Sequence, residues 1–326
     1  MILENKNLLD IICSPLQIEM NEDYSKIVTL HLKAFQTKLK EHLREVGFLE
    51  SDVYTMDTVI MVSESIINIL NLFNSGRRNL IHEEFKKLMN EGIKNIVKNT
   101  IEVHSEGSKY YRIRSGEINT MDRTKYDIFH IPFNKRYLIS NSRFNGSGTP
   151  CLYLANNPMV AWRECNKPKL DTVNLGIFCN SQPVRFLDFS LKNKEELVEH
   201  KKFLKYVCLY PIIMAIHTKI NYKGALPNFK IEYLFPSLLM DWFQTEDEFF
   251  DTPVLGIKYH SVKSNSEEID FNYALKTEFD KNFLYCQRLE GIFLNGSSSF
   301  SYKYYYSEDF SRKSEKLHND TFNTYK

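Results

Sequence analysis

The stretch that most restricts what this chain can fold into is Cys151–Glu164, CLYLANNPMVAWRE. Its first five residues are apolar, too few for a buried helix, and read as a strand buried on both faces. Asn156 or Asn157 can then cap a helix, with Pro158 at the first helical position, where a missing N–H costs nothing. The preceding residues, RFNGSGTP from Arg143 to Pro150, have turn chemistry. Arg143, Tyr153 and Glu164 therefore sit on a loop, a strand and a helix that adjoin one another. Each has an ordinary reading, as surface cation, core aromatic and solvated carboxylate. The alternative is that all three face one cleft.

Upstream lies a different kind of sequence. Residues 22–47, 57–74 and 80–98 each carry an apolar stripe at helical spacing, with Asn21 a cap, Gly47 a stop and Gly92 weakening the third. These make residues 1–104 an all-helical N-terminal module. Polarity rises over Asn99–Lys109 and marks a boundary. Beyond it, strands are expected at 110–114, 173–179, 184–188 and 254–259. Helical patterns cover 192–220, interrupted by Pro211, and 231–244, with a break at Pro236. From residue 296 the composition turns polar, so the expected division is 1–104, 105–295 and a tail of 296–326. The fold class is α+β.

Charge excludes little but biases the reading. Lys+Arg number 42 against 41 Asp+Glu, a net of +1, which gives no electrostatic reason to expect nucleic acid as a partner. No apolar segment runs uninterrupted for the ~20 residues of a membrane span. The N-terminus has no basic region ahead of an apolar core, as a signal peptide would. A cytoplasmic protein with six reduced cysteines is expected. Cys165, beside Glu164, is the only one worth weighing as a nucleophile. No metal-ligand spacing, P-loop or dinucleotide fingerprint occurs, so no metal or bound cofactor is expected.

The central residues resemble the RES domain of bacterial toxins. The resemblance is carried by Arg143-Phe144-Asn145, Gly148-Thr149-Pro150, Tyr153 and Glu164, with Phe144 where the family usually has Trp. Tyr110-Tyr111-Arg112-Ile113-Arg114 resembles the family's opening strand, Gly256-Ile257-Lys258-Tyr259-His260-Ser261 its late Gly-x-x-Tyr-x-Ser element, and Asn272 lies where the family often has Asn. The match spans about residues 105–295. It implies a mixed-sheet core similar to ADP-ribosyltransferases and a toxin that cleaves NAD at the nicotinamide–ribose bond. The ADP-ribosyl group then passes to phosphate, water or, in some members, a protein side chain. By position, Arg112 and Arg143 would hold the pyrophosphate and Tyr153 would face the nicotinamide or ribose. Glu164 would stabilise the oxocarbenium, and Ser261 would order the nicotinamide side. His130, in the apolar stretch IFHIPF, is an accessory substrate-binding candidate whose ordinary reading is a packed core residue. The family's usual partner is a helix-turn-helix antitoxin, and a homo-oligomer stays open.

The residue types fit such a ligand independently of the family. Arg forks match a pyrophosphate and do not titrate. A Tyr ring offers a flat face for a heterocycle, and a carboxylate stabilises charge at an anomeric carbon. Two other readings compete. One is a HEPN-like ribonuclease using Arg77 and His82, an Arg-x4-His spacing placed at a turn. The other is a non-enzymatic module that binds ADP-ribose or a partner, for which Glu164 would be superfluous.

Overall fold

The computed structural model describes residues 7–47, 50–115, 125–168, 173–222, 227–246, 249–261, 263, 270–294 and 300–303. In chain order the elements are α1 (Leu8–Ile12), β1 (Gln17–Glu19), α2 (Tyr24–Glu45), α3 (Glu50–Asn74), α4 (Arg78–Lys87), α5 (Lys94–Lys98), β2 (Ile101–His104), β3 (Lys109–Ser115), β4 (Cys151–Ala155), α6 (Pro158–Glu164), β5 (Val173–Cys179), β6 (Val184–Asp188), α7 (His200–His217), β7 (Lys219–Asn221), α8 (Leu234–Thr245), β8 (Gly256–His260), β9 (Phe271–Lys276), α9 (Gln287–Phe293) and β10 (Phe300–Lys303). The fold is α+β with an N-terminal helical region, as the sequence patterns require. Two compact units divide it: Met1–Ile101 with Ser142–Phe144 and Phe189–Thr252, and Glu102–Asn141 with Asn145–Asp188 and Pro253–Lys326. The helical unit thus also takes in residues 189–252, which a linear division at 104/105 assigns to the second domain. Of the tail, β10 lies among the described residues and the rest outside them.

In the helical unit, α3 packs against α2, α4 and α7. Val28, Leu32, Phe35 and Leu39 of α2 and Val59, Val62, Ile66 and Ile69 of α3 are fully buried. One window of α3, Val53–Asn74, is long and apolar enough to cross a membrane by length and composition, although Asp57 and Glu64 interrupt it. Within it Val59, Val62, Ile66 and Ile69 are buried in the helical unit, while Val53, Tyr54 and Ile60 are exposed. Gly92 falls at the end of a π-helical turn, Leu88–Gly92, which separates α4 from α5. Pro211 does not interrupt α7, which runs through it with every side chain from Tyr206 to His217 buried. That burial outweighs the one backbone hydrogen bond a proline forfeits. Pro236 lies in the first turn of α8, where N–H groups have no helical partner anyway. Arg77 is exposed just before α4, and His82 is exposed with Nδ1 4.0 Å from Asp241.

The second unit is built on a mixed sheet in the order β10-β5-β3-β4-β9-β8-β6-β2. β6 runs parallel to β8, and the β10/β5, β5/β3, β3/β4, β4/β9 and β8/β9 pairs are antiparallel. Alternation along each strand separates two faces. One carries an aromatic core including Tyr110, Phe129, Phe178, Phe186, Tyr273 and Phe293, covered in part by α9. The other carries Tyr111, Ile113, Ala155, Leu175 and Ile177, against which α6 lays Val160 and Ala161. The registers Tyr153↔Ala274, Ala155↔Asn272 and Tyr259↔Asn272 put Tyr153, Asn272 and Tyr259 on this second face.

On the aromatic face, Lys258 is buried with Nζ 4.0 Å from the Phe271 ring centroid and 2.6 Å from Glu102 Oε2. Burial alone would raise the Glu102 carboxyl. Its hydrogen bonds with His104 and Lys258, and the Lys258 charge, prevail and hold it down at about 2. β3 and β4 share one register pair, Tyr111↔Ala155. Beside it the carbonyl of Tyr153 accepts from the Arg112 guanidinium at 2.8 Å, so a side chain bridges this seam.

Gly256 opens β8 with its Cα pressed on β9. A Cβ there would lie 2.4 Å from the Ala274 carbonyl oxygen and 2.9 Å from Leu275 Cα. Gly256→Ala is expected to cost about 1–3 kcal/mol by forcing the two strands apart. Thermal denaturation checks it, and an unchanged melting temperature would count against this packing.

Candidate active site

Glu164 is the last residue of α6. Asn157 caps the helix, its side chain accepting from Val160 N at 2.9 Å, and Pro158 occupies the first turn. The buried carboxylate of Asp270, just before β9, ties both ends of α6 down. Asp270 accepts from Arg163 Nη1 at 2.5 Å and from Asn157 Nδ2 at 3.3 Å, and its carbonyl accepts from Ser261 N at 2.8 Å. Asn156 adds a backbone bond from its N–H to Phe271 O and a side-chain bond from Phe271 N, both 3.0 Å. The helix carrying Glu164, the strand end carrying Ser261 and the strand carrying Asn272 are thus fixed to one another.

The result is a carboxylate held on one oxygen. Glu164 Oε1 accepts from Ser261 Oγ at 2.6 Å and from Asn272 Nδ2 at 2.7 Å. Ser261 and Asn272 are buried, whereas the Glu164 side chain keeps 30% exposure. Lys263 Nζ donates to the Glu164 carbonyl at 2.6 Å and to Asn166 Oδ1 at 2.9 Å, and lies 3.9 Å from Glu164 Oε2. Asn166 and Lys167 have φ of 62° and 52°, so the chain leaves α6 through two left-handed residues that are not glycine. Such residues cost about 1–2 kcal/mol each and are held here by neighbouring hydrogen bonds, Asn166 N to Arg163 O and Lys167 N to Trp162 O.

The other expected residues are placed as follows. Tyr153 shares the sheet face of Asn272, and its hydroxyl donates to Asn145 Oδ1 at 2.9 Å. Arg112, at the β3/β4 seam, has one nitrogen on the Tyr153 carbonyl, while its buried Nε has no partner among the described residues. Burial, then the charge of Arg114, pushes its guanidinium down to about 10. Arg143 belongs to the helical unit and not to this cluster. Its Nη1 donates to Ile216 O at 2.8 Å and Thr218 O at 3.4 Å, with Tyr233's ring centroid 5.3 Å away. His130 is buried among Phe129, Phe133 and Tyr285. Its Nε2 accepts from Cys286 N and its Nδ1 donates to Ile131 O, both at 2.9 Å, the bonding of a packed core histidine. The Cys165 thiol donates to Ile113 O at 3.1 Å, and burial pushes it up, the reverse of what activates a nucleophilic thiol.

Arg163, Lys263 and Asp270 carry no sequence signal. They lie outside any apolar period, and only the fold brings Lys263 and Asp270 to Glu164 and its neighbour Arg163.

Chemically, the cluster presents a fixed negative charge beside two neutral donors and one cation. It suits stabilising positive charge that develops on a bound sugar. The chain is 29% identical to "Putative toxin YopC" of Bacillus subtilis (strain 168) over 71% of its own length and 56% of that protein, so it spans about half of this curated relative. No family model matches the chain, and no solved structure matches it.

His130 also sets a pH dependence. Burial depresses its pKa from 6.5 to about 4, with the Ile131 hydrogen bond opposing and the charges of Arg112 and Arg114 adding. Between those values the unfolded chain binds a proton that the folded chain refuses. Stability is therefore complete above pH 6.5 and falls as pH drops towards 4. About 2 kcal/mol should be lost between pH 7 and 5. Melting curves across that range should be flatter for His130→Gln, leaving a residual slope from His260, whose pKa burial also lowers against the opposing charge of Asp270. An identical slope in the variant would contradict the assignment.

Proposed function

We propose that the chain is a RES-type toxin that consumes NAD, breaking the nicotinamide–ribose bond and passing the ADP-ribosyl group to phosphate or water. The observation that carries this is the Glu164 carboxylate, anchored through Oε1 by Ser261 and Asn272 and partly open to solvent. A carboxylate so held cannot swing away as charge develops at the anomeric carbon, and it needs no reorganisation in the transition state. The nicotinamide leaves as a neutral molecule, taking the bonding pair onto its ring nitrogen. Tyr153, on the same sheet face, would stack on the nicotinamide or ribose, and Arg112, buried at the β3/β4 seam, would hold the Tyr153 backbone in place for it. The likeness to a protein described as a toxin supports the toxin half of this reading, and the RES-like residues support the NAD half. A neutralising helix-turn-helix partner belongs to the same proposal.

Glu164→Gln tests it. Glutamine keeps an oxygen to accept from Ser261 and Asn272, so the melting curve should be unchanged. Loss of the charge should lower kcat/KM for NAD about 100-fold or more. Chromatographic measurement of NAD loss decides it, and near-normal turnover in a folded variant would end the proposal.

A further inference from the structure

We propose that the surface formed by Phe133–Leu138 and residues 279–284 docks a second copy of this chain, giving a two-fold symmetric dimer in which Arg136 of each protomer pairs with Asp280 of the other.

Tyr137, Leu138, Phe279, Phe283 and Leu284 are each between 43% and 81% exposed. The two segments that carry them are joined underneath. Phe133 N donates to Leu284 O at 2.8 Å. The Phe133 ring, rooted in the aromatic core, meets the Phe279 ring edge-on with centroids 5.2 Å apart. Taking ~200 Å² for a free aromatic side chain and somewhat less for leucine, the five present on the order of 550 Å² of apolar surface. The largest apolar patch on an ordinary monomer is about 300–600 Å² and is often functional. With the polar rim that interfaces carry, an apolar centre of that size corresponds to roughly 900 Å² a side. A stable complex buries about 800 Å² a side, so one further copy suffices to cover it.

Charge decides the occupant. The Arg136 guanidinium lies 4.4 Å from the Phe279 ring centroid and 5.3 Å from that of Phe133. Its buried Nε has no hydrogen-bond partner, and no carboxylate lies within ion-pair distance of it, among the described residues. Asp280 is exposed; its carboxylate accepts from Asn282 N at 2.8 Å and meets no cation among those residues. Neighbouring Glu278 and Arg288, by contrast, already pair at 2.7 Å. Lys135 and Lys281 stand exposed at the rim, where long stems can turn their charges to solvent. An isologous contact needs a surface complementary to itself, residue i meeting j while j meets i. An unpaired cation and an unpaired anion flanking the Phe279 ring meet that need. A purely acidic partner would instead set like charge against Asp280, and a purely basic one against Arg136.

The test is sedimentation velocity of the purified full chain at about 1–100 μM, where an interface of this size should hold. Wild type should dimerise in that range. Tyr137→Ala, at a side chain too exposed to hold the fold, should weaken the dimer about tenfold or more. Arg136→Asp and Asp280→Arg should each weaken it by a similar factor, since each sets like charges face to face. Mixed with one another, these two variants should form a heterodimer, and both changes made in one chain should restore the homodimer. A merely structural role for either residue would give neither recovery. A wild type that stayed monomeric throughout would overturn the second copy as occupant and leave the patch to a different protein. A dimer indifferent to Tyr137→Ala, or one that neither arrangement of the swapped charges restored, would place the contact elsewhere and overturn the assignment.

Discussion

The buried carboxylate of Asp270 is the contact on which the site's geometry depends. Arg163 reaches it from the last turn of α6 and Asn157 from the helix cap, while its own carbonyl receives the Ser261 N–H. An isolated buried carboxylate would be costly, and this one is paired with a cation and hydrogen-bonded. Through it, a seven-residue helix too short to be stable alone is registered against two strands. Glu164, Ser261 and Asn272 then meet without any of the three having to provide the anchoring itself.

The two faces of the sheet divide the labour. The aromatic face holds His130 in its neutral form and confines Lys258 between Glu102, Asp188 and Phe271. The opposite face, under α6, carries Tyr153 and Asn272 and meets the partly open Glu164 carboxylate. The aromatic core and the candidate site are therefore separated by the thickness of the sheet. An argument about either must begin from the parity of a residue along its strand.

Much of this was legible in the sequence because it is local. The apolar run, the Asn cap and Pro158 specify β4 and α6 almost to the residue. The spacing of Glu164, Ser261 and Asn272 was readable as a set through the RES-like elements. What was not legible depends on long-range partners. The linear sequence cannot show that α7 and α8 fall in the compact unit of the N-terminal helices, nor that Arg143 would spend its guanidinium on the carbonyls of Ile216 and Thr218. Lys263 and Asp270 sit in polar surroundings with no period, so nothing local marks them. Pro211 misled for a related reason, since its cost is local and its compensation comes from the whole buried helix.

The seam between β3 and β4 has a mechanical consequence. With one register pair and an arginine side chain between them, these strands join β10-β5-β3 to β4-β9-β8-β6-β2 by a linkage softer than a continuous amide ladder. A guanidinium on a flexible stem tolerates changes of angle that a row of N–H···O bonds resists. The line between the two parts of the sheet is thus closed by a buried guanidinium as well as by main-chain pairing.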